Sequence, residues 1–412
     1  MSKRVLLAAV VTSDDPEGHS LNELAALAAT IDCDPVLRVT QKKSRPDART
    51  VLGKGKIAEI KQLIDEHDID LVIFDTELSP IQQRNLEAAL EGDVSDRTAV
   101  ILDIFARRAV STEGKLQVEL AQLKYLLPRL AGSGKDMSRL GGGIGTRGPG
   151  ERKLEVDRRT IRRRIHALEQ ELGSVHKRRG LNRKKREAAD IPVVSLVGYT
   201  NAGKSSLMKR LSGRDTLIED QLFATLDTTS RRVGLPSGGS FVLNDTVGFI
   251  NKLPHQLIAA FRATLEEVSQ AELLLHVVDV SDPLAAERIR TVQQVLDSIG
   301  AANRNELLIL NKSDKVNPAD SETGLPDLHE GLLVSAVTGD GIEELLNTIE
   351  KTLYGESITV ELTIPHSRGD ILSYLYQNAQ ILKRDELDPG VQVLVRGRSS
   401  VLGIAAGQLE RG

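Results

Sequence analysis

Cysteine, tryptophan and long apolar runs are what this 412-residue sequence is short of: Cys33 stands alone, tryptophan is absent, and aromatic residues make up only 3%. One cysteine excludes an internal disulfide framework and a thiolate zinc site, and it fits a reducing, cytoplasmic setting. The eight histidines are scattered and none pairs at i, i+4 with a nearby ligand set, so they read as satisfied or solvated side chains rather than metal ligands. No stretch approaches the roughly 18 apolar residues that span a bilayer, so a soluble chain without a membrane span is expected. The run VLLAAVV at 5–11 is short for a signal-peptide core and runs into the acidic turn TSDDPEG, so it reads as a buried strand. Hydrophobic residues at 40% and charged residues at 27% are ordinary globular usage, and at about 150 residues per domain the length allows two or three domains. Nothing in the sequence demands more than a monomer.

What is present is unevenly charged. The formal net charge is −4, yet residues 151–190 carry 14 Lys and Arg against seven acids, leaving −11 on the remainder. Positive charge is therefore concentrated, which is the pattern of a polyanion-binding region. Helical period runs through this region and through the segment before it. Leu116, Leu120, Leu123, Leu127 and Leu130 recur at spacings of four and three, and Ile161, Ile165, Leu168, Leu172 and Val175 repeat the pattern. Pro128 should kink or end the first helix early. Between them lies AGSGKDMSRLGGGIGTRGPG, 131–150, with eight glycines in twenty residues, too glycine-rich to pack a core. A helical hairpin with a long tip follows. Lys135, Arg139 and Arg147 on the tip and Arg152, Lys153, Arg158, Arg159, Arg162 and Arg163 on the returning helix are the candidate RNA contacts. Few aromatics argue against base-stacking platforms and for phosphate-backbone contact with structured RNA.

The hairpin, 113–190, separates two stretches of βα rhythm. Residues 1–112 alternate short apolar runs with helix-like segments, as in VLLAAVV, LNELAALAATI, PVLRVTQ, GKIAEIKQLIDEH and DLVIFD, which predicts a small α/β domain with a parallel sheet. Within it, Gly53-Lys54-Gly55-Lys56 opens a helix and either holds a phosphate on its N–H groups or is a plain turn. Residues 191–355 repeat the rhythm more strongly. Residues 356–412 read as a small α+β unit: a strand ITVELTIP, a helix around DILSYLYQNAQIL, then VQVLVRG and a last strand.

In the second βα stretch, Gly198-Tyr199-Thr200-Asn201-Ala202-Gly203-Lys204-Ser205 follows an apolar strand and precedes an apolar-periodic helix, which is the context G-x-x-x-x-G-K-S requires. Backbone N–H groups would turn in on the β-phosphate, Lys204 would reach the β- and γ-oxygens, and Ser205 would offer its hydroxyl to Mg²⁺. Asp245-Thr246-Val247-Gly248 ends a later strand: Asp245 would hold Mg²⁺ through water, and Gly248 could bring its N–H to the γ-phosphate. Asn311-Lys312-Ser313-Asp314 ends another. Asp314 can accept two hydrogen bonds from guanine, while adenine would leave that carboxylate unpaired, so GTP is favoured over ATP. Ser335-Ala336-Val337 could read the guanine O6 from its backbone.

At these residues, together with LGKGK at 52–56, GGGIGTRGPGERKLE at 141–155 and LFATLDTTSRR at 222–232, the chain resembles the HflX family of ribosome-associated, translation-factor-type GTPases. The resemblance implies a P-loop fold of doubly wound, mostly parallel sheet between an α/β N-terminal domain with its hairpin and a small C-terminal domain. It also implies a factor that binds the large ribosomal subunit and its RNA, cycles between GTP and GDP, and splits stalled or idle ribosomes under stress. Thr225, flanked by Phe223, Ala224, Leu226 and Asp227, would be the switch threonine on Mg²⁺, with Thr228 and Thr229 equivalent on spacing alone. Where the family has proline, this chain has Thr228; where it often has leucine, this chain has Val337. Asn201 resembles the asparagine that holds K⁺ in related GTPases, and equally suits a loop residue stabilising its own turn.

Phe249 follows Gly248 where many GTPases place a glutamine that orients water, so slow intrinsic hydrolysis, completed by a partner such as ribosomal RNA, is expected. Lys204, Thr225 and Gly248 are then the residues nearest the chemistry. Two rival readings stand beside this one: a GTPase of ribosome assembly or RNA modification, and an RNA-remodelling ATPase, against which Asp314 argues.

Overall fold

The computed structural model describes residues 2–11, 19–130, 149–187, 191–213, 223, 229–236, 238–252, 267–316, 331–355, 357–388 and 390–410. They fall into two compact units, the first made of Met1–Leu181, Asp220–Asp227 and Ile250–Ala263, the second of the remainder.

In the first unit, β1 (Lys3–Val11), α1 (His19–Thr30), β2 (Cys33–Lys42), α2 (Lys54–Glu66), β3 (Leu71–Phe74), α3 (Pro80–Leu90), β4 (Val94–Asp96) and α4 (Arg97–Arg108) build a parallel sheet in the order β2-β1-β3-β4. Val5 stands opposite Leu71 and Leu7 opposite Ile73. Leu6, Ala8, Val72 and Phe74 pack with Ile57 and Ile60 of α2 and Leu86 and Leu90 of α3. The intervening Leu7 and Ile73 are buried as well, so the strands read as continuous apolar runs because both faces are covered. Gly53 opens α2 and donates its N–H to Gln41 Oε1 at 2.8 Å. Ser79 and Gln82 form a reciprocal capping box at the start of α3.

The next helix, α5 (Thr112–Arg129), keeps Pro128 as its penultimate residue and stops there, as a missing backbone N–H dictates. Its end is fastened by one buried carboxylate. Asp96 accepts from Leu78 N at 2.9 Å, Ala99 N at 2.8 Å, Tyr125 Oη at 2.9 Å and Arg129 at 3.1 Å. Arg129 also stacks on Tyr125. The carboxylate beside it, after burial, holds the Tyr125 phenol well above its usual pKa. The 39-residue α6 (Pro149–Glu187) returns along α5. The seam consists of Leu116, Leu120 and Leu123 against Ile165, Leu168 and Leu172, with a two-pronged Arg164–Glu119 pair at 2.7 Å and Lys124–Glu169 at 2.8 Å beside it. Leu127, Leu130, Ile161 and Val175 share the periodicity but lie outside this seam.

The second unit begins with β5 (Val193–Gly198), α7 (Lys204–Ser212), β6 (Thr229–Gly234), β7 (Ser240–Asp245), β8 (Leu273–Asp279), α8 (Ala285–Ser298), β9 (Asn305–Asn311), β10 (Leu332–Leu333) and α9 (Ile342–Tyr354). The sheet order is β10-β9-β8-β5-β7-β6, parallel except for the antiparallel edge strand β6. Order reverses around β5, and in such sheets ligands bind beyond the carboxyl ends of the strands at that point. Beyond it come β11 (Ser357–Pro365), α10 (Gly369–Asn378), β12 (Gln380–Leu387), β13 (Gly390–Arg398) and α11 (Ser399–Glu410), an antiparallel sheet β11-β13-β12. Here the sequence reading is corrected twice. The helix ends at Asn378 and Gln380-Ile381-Leu382 begin β12. The terminal segment is a helix, not a strand, because Val401, Leu402 and Ala405 fall on one helical face over Ile371, Leu375 and Val393.

Candidate functional site

The P-loop leaves the carboxyl end of β5 and turns into α7. Gly203 has φ +92°, and a Cβ there would sit 2.2 Å from Asn311 Nδ2, so a glycine is required. Asn201, at φ +61°, tolerates the same left-handed region and offers its carbonyl to Lys312 Nζ at 2.8 Å. Lys204, 6% exposed, donates to the carbonyls of Gly198 at 3.0 Å and Tyr199 at 2.7 Å. Burial pulls its ammonium down to about 8, with the Asp245 charge opposing. A lysine so placed gains from an anionic ligand.

Ser205 Oγ donates to Asp245 Oδ2 at 3.0 Å, bringing together the hydroxyl and carboxylate expected on Mg²⁺. Among the described residues no cluster of three His, Cys, Asp or Glu could hold a metal by itself. One carboxylate and one hydroxyl fit Mg²⁺, which takes its remaining oxygens from water and phosphate. Beyond Asp245, Thr246 is tied to Leu196 O at 2.6 Å. A Cβ on Gly248 would lie 2.9 Å from Thr200 Cγ2 and 3.0 Å from Lys204 Nζ, so this backbone abuts the P-loop closely. Phe249 is buried, and its backbone is fixed by Phe249 N to Gly198 O at 3.1 Å and Thr200 N to Phe249 O at 2.8 Å.

Opposite stands the corner built from the carboxyl end of β9 and the 335–340 loop. Asn311 bridges two loops, its Nδ2 donating to Ala202 O at 2.9 Å and its Oδ1 accepting from Ala336 N at 3.1 Å. Lys312 reaches Asp279 at 2.7 Å. Ser335 Oγ donates to Asp314 Oδ1 at 2.6 Å and accepts from Thr338 N at 3.1 Å. Ser313 opens a short 3₁₀ turn and Val337 is exposed. Ser335 thus acts here through its side chain, which holds Asp314, and not only through the backbone that its motif suggests. The sequence reading missed Asp279, whose signal is an acid at the carboxyl end of a central strand, and Arg288, which stacks 4.4 Å over the Tyr199 ring.

Of the other expected residues, Phe223 is buried and packs edge-to-face on Phe105 with centroids 4.7 Å apart. Ala224, Thr225, Leu226 and Asp227 lie outside the described residues, as do Lys135, Arg139 and Arg147. Arg152 and Lys153 fall on α6, whose side chains are described for 155–175. Arg159, Arg162 and Arg163 are exposed there, and Arg158 is half-buried.

Comparison with known proteins agrees along the chain. Residues 18–106 match a family described as GTP-binding GTPase N-terminal, and 108–186 one described as GTP-binding GTPase Middle Region. Residues 193–312 match a 50S ribosome-binding GTPase family, and 327–411 the HflX C-terminal domain. GTPase HflX of Caldanaerobacter subterraneus subsp. tengcongensis is 47% identical over 95% of this chain and 90% of its own length. GTPase HflX of Escherichia coli is 42% identical over 96% and 93%. A GTP-binding protein from Sulfolobus solfataricus, solved with GDP, is 25% identical, covers 86% of this chain and 99% of its own, and has a TM-score of 0.41. With a P-loop at the carboxyl ends of a mostly parallel sheet, and with relatives matching nearly end to end, this chain belongs to the HflX family of GTPases.

Proposed function

We propose that this GTPase is a ribosome-splitting factor: in its GTP form it binds the large subunit and its RNA and separates stalled or idle ribosomes, and hydrolysis then releases it. The observation that carries the nucleotide half is the Ser205–Asp245 pair beside a buried, pKa-lowered Lys204. For the RNA half it is the exposed row Arg159, Arg162 and Arg163 on a helix whose apolar side is already taken by α5.

In this reading the P-loop, 198–205, wraps the phosphates. Asp314, aimed by Ser335, grips guanine, with Lys312, Ser313, Ala336 and Val337 around it. Thr225, with its neighbours 223–227, and the 245–248 segment answer to the γ-phosphate. Ser205, Asp245 and Thr225 would hold Mg²⁺, which neutralises phosphate charge when bound. Asn201 would add K⁺. The labour divides among 1–112, 113–190, 191–355 and 356–412, in a cytoplasmic monomer.

Sedimentation of ribosomes with the protein plus a non-hydrolysable GTP analogue, GDP or no nucleotide tests this. Splitting with the analogue is expected; dissociation only after hydrolysis, or binding confined to precursor subunits, contradicts it. Because Phe249 carries no water-orienting group, turnover should rise when large subunits are added, and should be faster in K⁺ than in Na⁺.

A further inference from the structure

Phe249 leaves the catalytic edge without the usual glutamine, and the structure shows which polar group stands nearby. Thr200, third residue of the P-loop, is 2% exposed, and among the described residues its hydroxyl has no hydrogen-bond partner. Buried hydroxyls are normally satisfied, and a valine of the same shape would avoid the cost of this one. Thr98 and Asn244 also bury unpartnered oxygens. Thr200 differs in its position: its Cγ2 and Lys204 Nζ both lie within 3.0 Å of the point where a Cβ on Gly248 would stand. The phosphate lysine, the γ-phosphate-facing glycine and this threonine thus surround one small volume. The methyl faces Gly248 now, and one χ1 step puts the hydroxyl in its place.

We propose that the Thr200 hydroxyl is the chain's own water-positioning group, doing from the P-loop part of what glutamine does after Gly248 in other GTPases. The hydroxyl accepts a hydrogen bond from the attacking water and donates a hydrogen bond to a γ-phosphate oxygen, keeping its own proton. The water oxygen forms a bond to the γ-phosphorus as the bond from phosphorus to the β,γ-bridging oxygen breaks. GDP departs with that electron pair, and the water's proton ends on the released phosphate. Thr200 is unchanged at the end. Partner stimulation is then an addition to a weak intrinsic device.

This rests on the phosphate site proposed above, and GDP binding by the unaltered protein tests that site separately. The experiment compares Thr200→Val and Thr200→Ser in the full chain by single-turnover GTP hydrolysis, GDP affinity, and affinity for GDP with aluminium fluoride. Thr200→Val should hydrolyse about 10- to 100-fold more slowly, keep its GDP affinity, and lose affinity for the aluminium fluoride complex by a similar factor. Thr200→Ser should restore most of the rate. An unchanged rate in Thr200→Val overturns the proposal. A rate in Thr200→Ser as low as in Thr200→Val assigns the effect to the methyl group, and loss of GDP binding in Thr200→Val assigns the hydroxyl to loop shape; either result overturns it. Failure of the unaltered protein to bind GDP removes both the site and this role.

Discussion

Each unit buries a cation near an aspartate at the end of a parallel strand, and the two pairs are finished differently. In the first, Arg97 is 1% exposed and its guanidinium meets Asp75 at 2.8 Å and Glu23; the other Asp75 oxygen takes Lys252 at 2.6 Å. Burial lowers the Arg97 pKa, but the two carboxylates outweigh it and hold the group above its ordinary value. In the second, Lys204 donates to backbone carbonyls, and burial wins over Asp245. A buried cation that is electrostatically repaid by its neighbours is part of the fold. One that is left short is prepared for an anion.

The sharpest way to break this comparison is to remove each cation. Arg97→Met takes the buried guanidinium away from Glu23 and from one oxygen of Asp75 and should cost about 3–5 kcal/mol in a denaturant titration. Lys204→Met removes a charge the fold does not favour, so stability should hold or rise while GDP binding is lost. Equal destabilisation by the two would erase the distinction.

Next in size is a pH effect. With its pKa lowered to about 8 in the free protein, Lys204 gives up its proton above that pH, whereas bound phosphates would favour the protonated form. GDP affinity should therefore be flat below about pH 8 and fall above it by up to tenfold per pH unit, with one proton taken up on binding. Calorimetry in buffers of different ionisation enthalpy reads that proton. The free protein should gain stability as pH rises from about 8 toward 10.5, because there the unfolded chain holds the proton and the folded one does not. A smaller change is expected at Ser335. Ser335→Ala removes the 2.6 Å bond that aims Asp314, and GDP affinity should drop about 5- to 10-fold with little change in thermal stability.

The two sites differed just as much in how far the sequence disclosed them. The positions of the P-loop, Asp245, Gly248 and Asp314, at or just beyond the carboxyl ends of β5, β7 and β9, were readable because each motif directly follows an apolar strand. The hairpin was readable from its 4-3 period, although Leu127, Leu130, Ile161 and Val175 share that period without entering the seam. The terminal helix was misread as a strand because a short apolar run has no unique period. The Arg97 network was invisible. Its members are joined across as many as 232 positions, and nothing local marks Asp75 as the place where they meet.

Lys252 gives the smallest and most instructive test, because it joins that network from just beyond Gly248 in the sequence. Its backbone is at φ +55°, a conformation unfavourable for a lysine, and its ammonium reaches Ser20 Oγ at 2.9 Å as well as Asp75. Phe223, from the expected switch region, is likewise at φ +56° and stacks on Phe105 of α4. Two residues with left-handed backbone are thus held within the first unit, one by charge and one by aromatic packing. The Lys252 side chain is nearly half exposed, so screening reduces its worth, and Lys252→Met should lower stability by about 1 kcal/mol. With Asp75→Asn in the same chain the two losses should not add, since each change removes the same contact. Additive losses would mean that Asp75 is satisfied by Arg97 alone and that Lys252 rests against it without effect.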